Sequence, residues 1–183
     1  MRNVLPETLE TERLVVRVAK PGDGKVFNEA ILESLAELGM WLAWAVSAPS
    51  VDQSESVCRR AYARFLLNED LMALFFLRDS GVLVGGSGLH RANWELRQFE
   101  MGYWGRTAYC GRGFVTEGVR ALADHALDDL GASSVWLTTD ERNAASRRLA
   151  ERAGFELEGV LRNERLDLCG RLRNTCVYSR VAR

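Results

Sequence analysis

The chain reads as an α/β protein with a mixed sheet flanked by helices, and three observations predict it. Helical apolar stripes and short β-rich runs follow one another along the whole length. At 183 residues, with 47% apolar and 27% charged side chains, the composition is that of an ordinary globular protein with material for one core. A pair of glycines also joins a strand pattern to a strongly helical one near the middle of the chain. No internal repeat or low-complexity tract divides the sequence, so residues 1–183 are expected to form one domain.

Taken in order, Leu14 to Val18 reads as a first strand. Pro21-Gly22-Asp23 punctuates it before a helix with Val26, Phe27, Ala30, Ile31 and Leu35 on one side, ended by Gly39. Trp41 and Trp44 follow in a short segment closed by Pro49. Asp52 to Asn68 then forms a helix expected to turn Val57, Ala61, Phe65 and Leu66 inward. Met72–Arg78 and Val82–Leu89 are β-rich runs joined by a turn at Asp79-Ser80-Gly81, and Trp94–Trp104 supplies the next strand. Val119, Leu122, Ala123, Ala126, Leu127 and Leu130 form the stripe of a docked helix that Gly131 stops. Ser134–Thr138 reads as a buried strand, Asn143–Ala153 as a helix, and Phe155–Arg162 and Asn174–Val181 as closing strands.

The segment Tyr109-Cys110-Gly111-Arg112-Gly113-Phe114-Val115-Thr116-Glu117 carries most of the chemistry. Glycines permit positive φ and close approach of a ligand, and the following first helical turn presents unpaired N–H groups at the positive end of a helix dipole. Such a loop suits a phosphate, although two glycines can equally shape a plain turn. Neither the dinucleotide fingerprint nor the Walker pattern is present.

A second motif separates these readings. Asn143-Ala144-Ala145-Ser146 opens a helix that leads to Gly154-Phe155-Glu156-Leu157-Glu158-Gly159. Together with Tyr-x-Gly-Arg-Gly-aromatic-x-Thr-Glu at residues 109–117, this ordered set resembles the GNAT superfamily of acyl-CoA-dependent N-acetyltransferases, and within it the Rim group of ribosomal-protein N-terminal acetyltransferases. The likeness extends from Leu9-Glu10-Thr11-Glu12-Arg13-Leu14 through Trp41-Leu42-Ala43-Trp44 and Glu100-Met101-Gly102-Tyr103-Trp104 to Val177-Tyr178-Ser179. The loop departs from that pattern at Cys110, where many relatives have Gln or Arg, and at Val115, where a small residue is common. Because main-chain N–H groups are the expected ligands, neither change removes the inference.

The resemblance implies a GNAT-like, mostly antiparallel mixed sheet and acetyl-CoA, or coenzyme A, as cofactor. It places the pyrophosphate on Cys110, Gly111, Arg112, Gly113, Phe114, Val115 and Thr116. The pantetheine arm is expected along Met101, Gly102, Tyr103 and Trp104, with Asn143 and Ser146 beside the arm and sulfur. Gly102 interrupts an apolar strand, which reads either as a bulge offering a main-chain donor to an oxyanion or as relief of crowding. Asn143 is equally a helix N-cap and a ligand contact. Ser146 is the candidate to protonate the departing thiolate, and Glu100 the candidate to take the amine proton directly or through water, against the plainer reading of a solvated carboxylate. Trp44 and His90 are carried as acceptor contacts, His90 also being a simple strand-end residue.

The expected reaction is direct acetyl transfer to a primary amine, foremost the N-terminal α-amine of a protein or peptide. A small amine such as a polyamine, an amino-acid conjugate or an antibiotic is the competing acceptor, and a non-catalytic acyl-CoA-binding module the competing class. A homodimer is among the assemblies the resemblance allows.

Charge and composition bound the partners. With 24 basic and 25 acidic side chains the net charge is −1, which gives no overall attraction to nucleic acid or an anionic membrane. The longest apolar runs are too short to span a bilayer and nothing ahead of Leu14 reads as a secretory leader, so a cytoplasmic enzyme is expected. Cys58, Cys110, Cys169 and Cys176 lack zinc-site spacing and are expected as reduced thiols with no metal, Cys110 being watched because a helix N-terminus and Arg112 could acidify it. The second histidine, His125, falls on a polar helix face, and no nucleophile elbow supports a covalent triad.

Overall fold

The computed structural model describes residues 5–182. Among the described residues nine strands form one sheet in the order β1-β2-β3-β4-β5-β7-β9-β8, with β6 paired to β4 beside β5. The strands are β1 (Thr8–Glu10), β2 (Leu14–Val18), β3 (Leu71–Leu77), β4 (Leu83–Asn93), β5 (Gln98–Glu100), β6 (Tyr103–Gly105), β7 (Ser134–Asp140), β8 (Glu156–Leu166) and β9 (Leu172–Val181). Every pairing is antiparallel except β5 with β7. The helices are α1 (Gly24–Glu33), α2 (Leu35–Leu38), α3 (Val51–Leu66), α4 (Phe114–Asp128) and α5 (Ala144–Arg152).

The sheet separates two apolar layers. On one face Val119, Leu122, Ala123 and Ala126 of α4 pack on Val16, Phe75, Leu89, Phe99 and Met101; on the other, α1 and α3 bring Phe27, Ile31, Cys58 and Ala61 against Leu74, Leu83 and Trp104. The α3 N-terminus carries a reciprocal capping box between Ser50 and Gln53, two residues before the predicted start.

Several sequence expectations are corrected. Val26 is 39% exposed and Leu66 65% exposed, so neither faces the core; each lies at the rim of a stripe whose centre is correctly placed. The strand Thr8–Glu10 was not anticipated, being only three residues long. The single strand expected over 94–104 is two strands, β5 and β6, separated by Met101-Gly102. There the pairing to β4 lapses without a change of register, since Glu100 faces His90 and Tyr103 faces Ser87. No residue is therefore inserted at Gly102; the register shift falls further along, between His90 and Asn93.

Candidate active site

The site begins where the sheet comes apart. Strand β5 runs parallel to β7 up to the Glu100–Trp136 pair, and the Met101 N–H adds one more bond to the Trp136 carbonyl at 2.7 Å. Beyond that point β6 pairs with β4 and the rest of β7 pairs with β9, so a wedge with two unpaired strand edges opens between β6 and β7. An extended polar ligand can satisfy such edges as an added strand would.

At the mouth of the wedge, Gly102 is exposed, its carbonyl accepts from the Ser87 hydroxyl at 2.7 Å, and its N–H donates to no acceptor among the described residues. A Cβ added to Gly102 would meet nothing within 4 Å, so crowding is not the reason for the glycine. The other side is closed by Tyr103, whose phenol donates to the Ser146 carbonyl at 2.9 Å and lies 2.8 Å from Ser146 Oγ. With the phenolic proton committed to the carbonyl, the serine hydroxyl is the donor in the second bond. Burial pushes the Tyr103 phenol up to about 12, so it stays protonated. Asn143 Oδ1 accepts from the Ser146 N–H at 3.0 Å, the N-cap geometry of α5. The cap thus holds Ser146 against Tyr103, a link the sequence reading missed because the two residues are 43 positions apart.

The glycine loop stands beside this wedge. Gly111 and Gly113 have φ of 77° and 83°, in the left-handed region. The N–H groups of Gly111, Arg112 and Gly113 donate to nothing among the described residues, and those of Phe114, Val115 and Thr116 occupy the first turn of α4, which has no intrahelical acceptor for them. The first bond of the helix runs from the Glu117 N–H to the Gly113 carbonyl at 3.0 Å. A run of six consecutive main-chain donors at a helix N-terminus is therefore available to an anion.

Side chains keep the loop clear. Val115 is buried and lies against the backbone at Gly85 and Gly105, so its bulk does not narrow the loop. Arg112 lies over the Tyr109 ring with its guanidinium carbon 5.4 Å from the centroid. Arg13, just ahead of β2, sits over Phe114, donates to the Arg112 carbonyl at 3.1 Å and pairs with Glu117 at 2.6 Å. Burial opposes ionisation of Glu117, but hydrogen bonds from Thr11 and Arg13 outweigh it and hold the carboxyl below its ordinary range. Cys110 is exposed yet its thiol is shifted upward by burial of the sulfur and by Glu37, which removes the case for an acidified cysteine. All four cysteines are free, and among the described residues no cluster suits a metal ion.

Grooves lie along the surface of the described residues. One, of about 520 Å³, runs from Gly113 and Thr116 along α4 past Arg120 to Arg152. The other, of about 250 Å³, lies between Met40 and Trp41 on one wall and Leu168 and Cys169 on the other, with Arg142 and Asp167 at its polar end. Trp41 lines this second groove, whereas Trp44 sits in the short 3₁₀ turn Ala43–Ala45 and is 52% exposed. Asp140, at the end of β7, accepts two hydrogen bonds from the Arg142 guanidinium, which hold its carboxyl low, and Arg142 also reaches Asp167 at 3.1 Å.

Glu100 and His90 are brought together as directly opposed residues of β5 and β4. Glu100 Oε2 lies 2.9 Å from Arg91 Nη1, a charge contact whose geometry is not that of a hydrogen bond, and this buried oxygen accepts none from the described residues. His90 Nδ1 is 3.0 Å from Asp70 Oδ1, a partner the sequence reading missed.

The family follows from this architecture. Residues 13–156 match the family model described as an acetyltransferase (GNAT) domain. The chain is also 31% identical over 156 residues, 83% of its own length and 82% of the relative's, to the Bacillus subtilis (strain 168) protein YdaF, named as a ribosomal N-acetyltransferase. Among solved structures it superposes with a TM-score of 0.88 at 19% identity, covering 96% of this chain and 98% of the other, on RimL, a ribosomal L7/L12 α-N-protein acetyltransferase in complex with coenzyme A. A TM-score of 0.87 at 18% identity, over 98% of each chain, relates it to the microcin C7 self-immunity acetyltransferase MccE in complex with acetyl-CoA and AMP. This chain belongs to the GNAT acetyltransferase family and has its fold. It is accordingly an N-acetyltransferase, and acetyl-CoA is the acyl donor of its class. The free donors of residues 111–116 and the open wedge fit the diphosphate and the extended amide arm of such a carrier.

Proposed function

We propose that the protein acetylates the N-terminal α-amine of a protein or peptide, ribosomal proteins being the first acceptors to test. The observation that carries the cofactor half of this reading is the run of unpaired N–H groups from Gly111 to Thr116 leading into the β6–β7 wedge. Main-chain donors there hold the diphosphate, the groove edged by Arg120 and Arg152 receives the nucleotide end, and the unpaired edge of β6 aligns the amide arm. The bound thioester supplies an activated acyl carbon.

The remaining work belongs to the chain. The Gly102 N–H faces the acyl oxygen as it gains charge. The Ser146 hydroxyl turns from Tyr103 to hand its proton to the departing sulfur and regains one from solvent, while the Asn143 cap and the Tyr103 bond to the Ser146 carbonyl fix its position. Glu100, whose buried Oε2 accepts no hydrogen bond from the described residues, receives the acceptor ammonium by charge. The groove between Trp41 and Leu168 admits an extended peptide behind that amine. Magnitudes favour an α-amine: freeing one of pKa about 8 at pH 7 costs about 1.4 kcal/mol, against about 4.6 kcal/mol for a lysine. The name of the relative YdaF supports a ribosomal acceptor, and that of the structural neighbour RimL an α-amine of a protein.

Incubation with labelled acetyl-CoA and a panel of peptides with free or blocked N-termini, alongside polyamines and aminoglycosides, tests this. Label on free peptide termini is expected. Label confined to small amines would overturn the acceptor assignment, and coenzyme A binding without label on any amine would point to a module that only binds the carrier.

A further inference from the structure

We propose that His90, oriented by Asp70, takes the proton from the acceptor amine. The proposal rests on the acetyl-transfer reading above and adds a catalytic residue and a positioning residue to it.

Three side chains form one row across the sheet. Leu71 pairs with Leu89, so Asp70 stands opposite His90, and His90 pairs with Glu100. Leu71, Leu89, Phe99 and Met101 all turn into the α4 layer, so Asp70, His90 and Glu100, which alternate with them, turn to the opposite face. Arg64 of α3 reaches Asp70 at 3.4 Å from that side.

Asp70 is 8% exposed and fixes the imidazole through Nδ1. A carboxylate accepting from Nδ1–H leaves Nε2 with its lone pair. That nitrogen lies back along β4 over Gly88: a Cβ built on Gly88 would come within 2.5 Å of Nε2 and 2.4 Å of Cε1. Gly88 stands level with Gly102, between the Ser87–Tyr103 and His90–Glu100 pairs. Nε2 thus sits at the level of the unpaired Gly102 N–H. Two glycines at this level leave room for both the ring and an incoming amine.

The charged groups around the pair are Asp70, just ahead of β3, Arg64 of α3, Arg91 on β4 itself, Glu100 on β5 and Arg165 from β8, which feels the charge of Glu100. Glu100 is already engaged with Arg91, whereas Nε2 carries no partner among the described residues. As classes, imidazoles bind a proton about two powers of ten more tightly than carboxylates. In the step itself one N–H bond of the ammonium breaks, its electron pair stays on nitrogen and goes on to form the amide bond, and the proton passes to Nε2. The resulting imidazolium is balanced by Asp70.

The test has two arms. The chain holds only two histidines, so in a His125→Gln background the ring nitrogens of His90 are the only histidine signals in a ¹⁵N spectrum. The Nδ1–H tautomer is expected above pH 8, and Asp70→Asn should shift the population toward Nε2–H. An Nε2–H tautomer in the parent protein would overturn the orientation. In the second arm, kcat/KM for acetylation of a free-terminus peptide is followed from pH 5 to 9. His90→Gln is expected to lose about a hundredfold in kcat and the acid limb of the profile, with coenzyme A affinity by calorimetry within twofold of wild type, which also certifies the fold. A His90→Gln enzyme within threefold of wild type and keeping that limb would overturn the proposal. Failure of the parent enzyme to label any peptide would count against the acceptor reading instead, because the tautomer arm needs no substrate.

Discussion

In the reaction we propose, the loop at Gly111–Thr116 and the row Asp70–His90–Glu100 serve one site but are built on opposite principles. The loop works through its main chain: glycines at positive φ and the first turn of α4 supply donors that no side chain needs to provide. The row works through side chains from three strands or their ends, each set by register. A site of the first kind should be sensitive to backbone conformation and tolerant of side-chain exchange; a site of the second kind should show the reverse.

The sharpest way to break that contrast is at Gly113. Its φ of 83° is costly for any residue with a Cβ, although the space itself is open, with Arg13 Nη2 at 3.4 Å. Gly113→Val is expected to weaken coenzyme A binding by about fivefold to thirtyfold through about 1–2 kcal/mol of strain. Calorimetry with the folded variant reads this, and unchanged affinity would mean that the left-handed turn is dispensable.

One side chain does matter to the loop, as its anchor. Glu117→Gln removes the charge that holds Arg13 and Thr11, and about 1–2 kcal/mol of stability at pH 7 is expected to go with it. The folded-state carboxyl lies below its ordinary range, so this stability is present above the ordinary glutamate value and is lost as pH falls through the lowered one. Denaturant midpoints of wild type and variant should therefore differ at pH 7 and converge in acid.

Tyr103→Phe probes the wedge between the two regions. It deletes the phenol that fixes Ser146, and about a fivefold loss of kcat is expected, corresponding to about 1 kcal/mol for a neutral hydrogen bond, with KM for acetyl-CoA within twofold. An equal loss in KM would show that the phenol binds the carrier. The smallest effect is expected at Arg112, whose side chain lies over Tyr109 and whose carbonyl, not its guanidinium, is held by Arg13. Arg112→Ala should change coenzyme A affinity by less than about threefold; a tenfold loss would put side-chain charge ahead of main-chain donors in the loop.

The same contrast explains what could be read from the sequence. The loop was legible because glycine spacing before a helical stripe reports backbone conformation directly. The succession of strand, loop and helix around it, and the cap as one of two readings of Asn143, were legible for similar local reasons. The row was not. In β4, Phe76 pairs with Leu83 but Phe75 with Gly85, so Val84 is an extra residue that shifts every later partner by one. Without that bulge Leu89, not His90, would face Asp70. No local pattern announces it, just as nothing in the run Trp94–Trp104 announces that pairing stops at Met101. The Tyr103–Ser146 contact was hidden for the related reason that it crosses from a strand to a helix far along the chain. The upward shift at Cys110 likewise depends on burial of the sulfur and on Glu37, both set by the fold.

The account depends most on main-chain donors of residues 111–116 holding the diphosphate while the Gly102 N–H meets the acyl end. Backbone amide shifts recorded during titration with coenzyme A and then with acetyl-CoA measure this directly. Both carriers should move the Gly111, Arg112, Gly113, Phe114, Val115 and Thr116 amides most, with Gly102 responding chiefly to the acetylated one. Largest shifts at residues remote from the α4 N-terminus, with these seven amides unmoved, would contradict it.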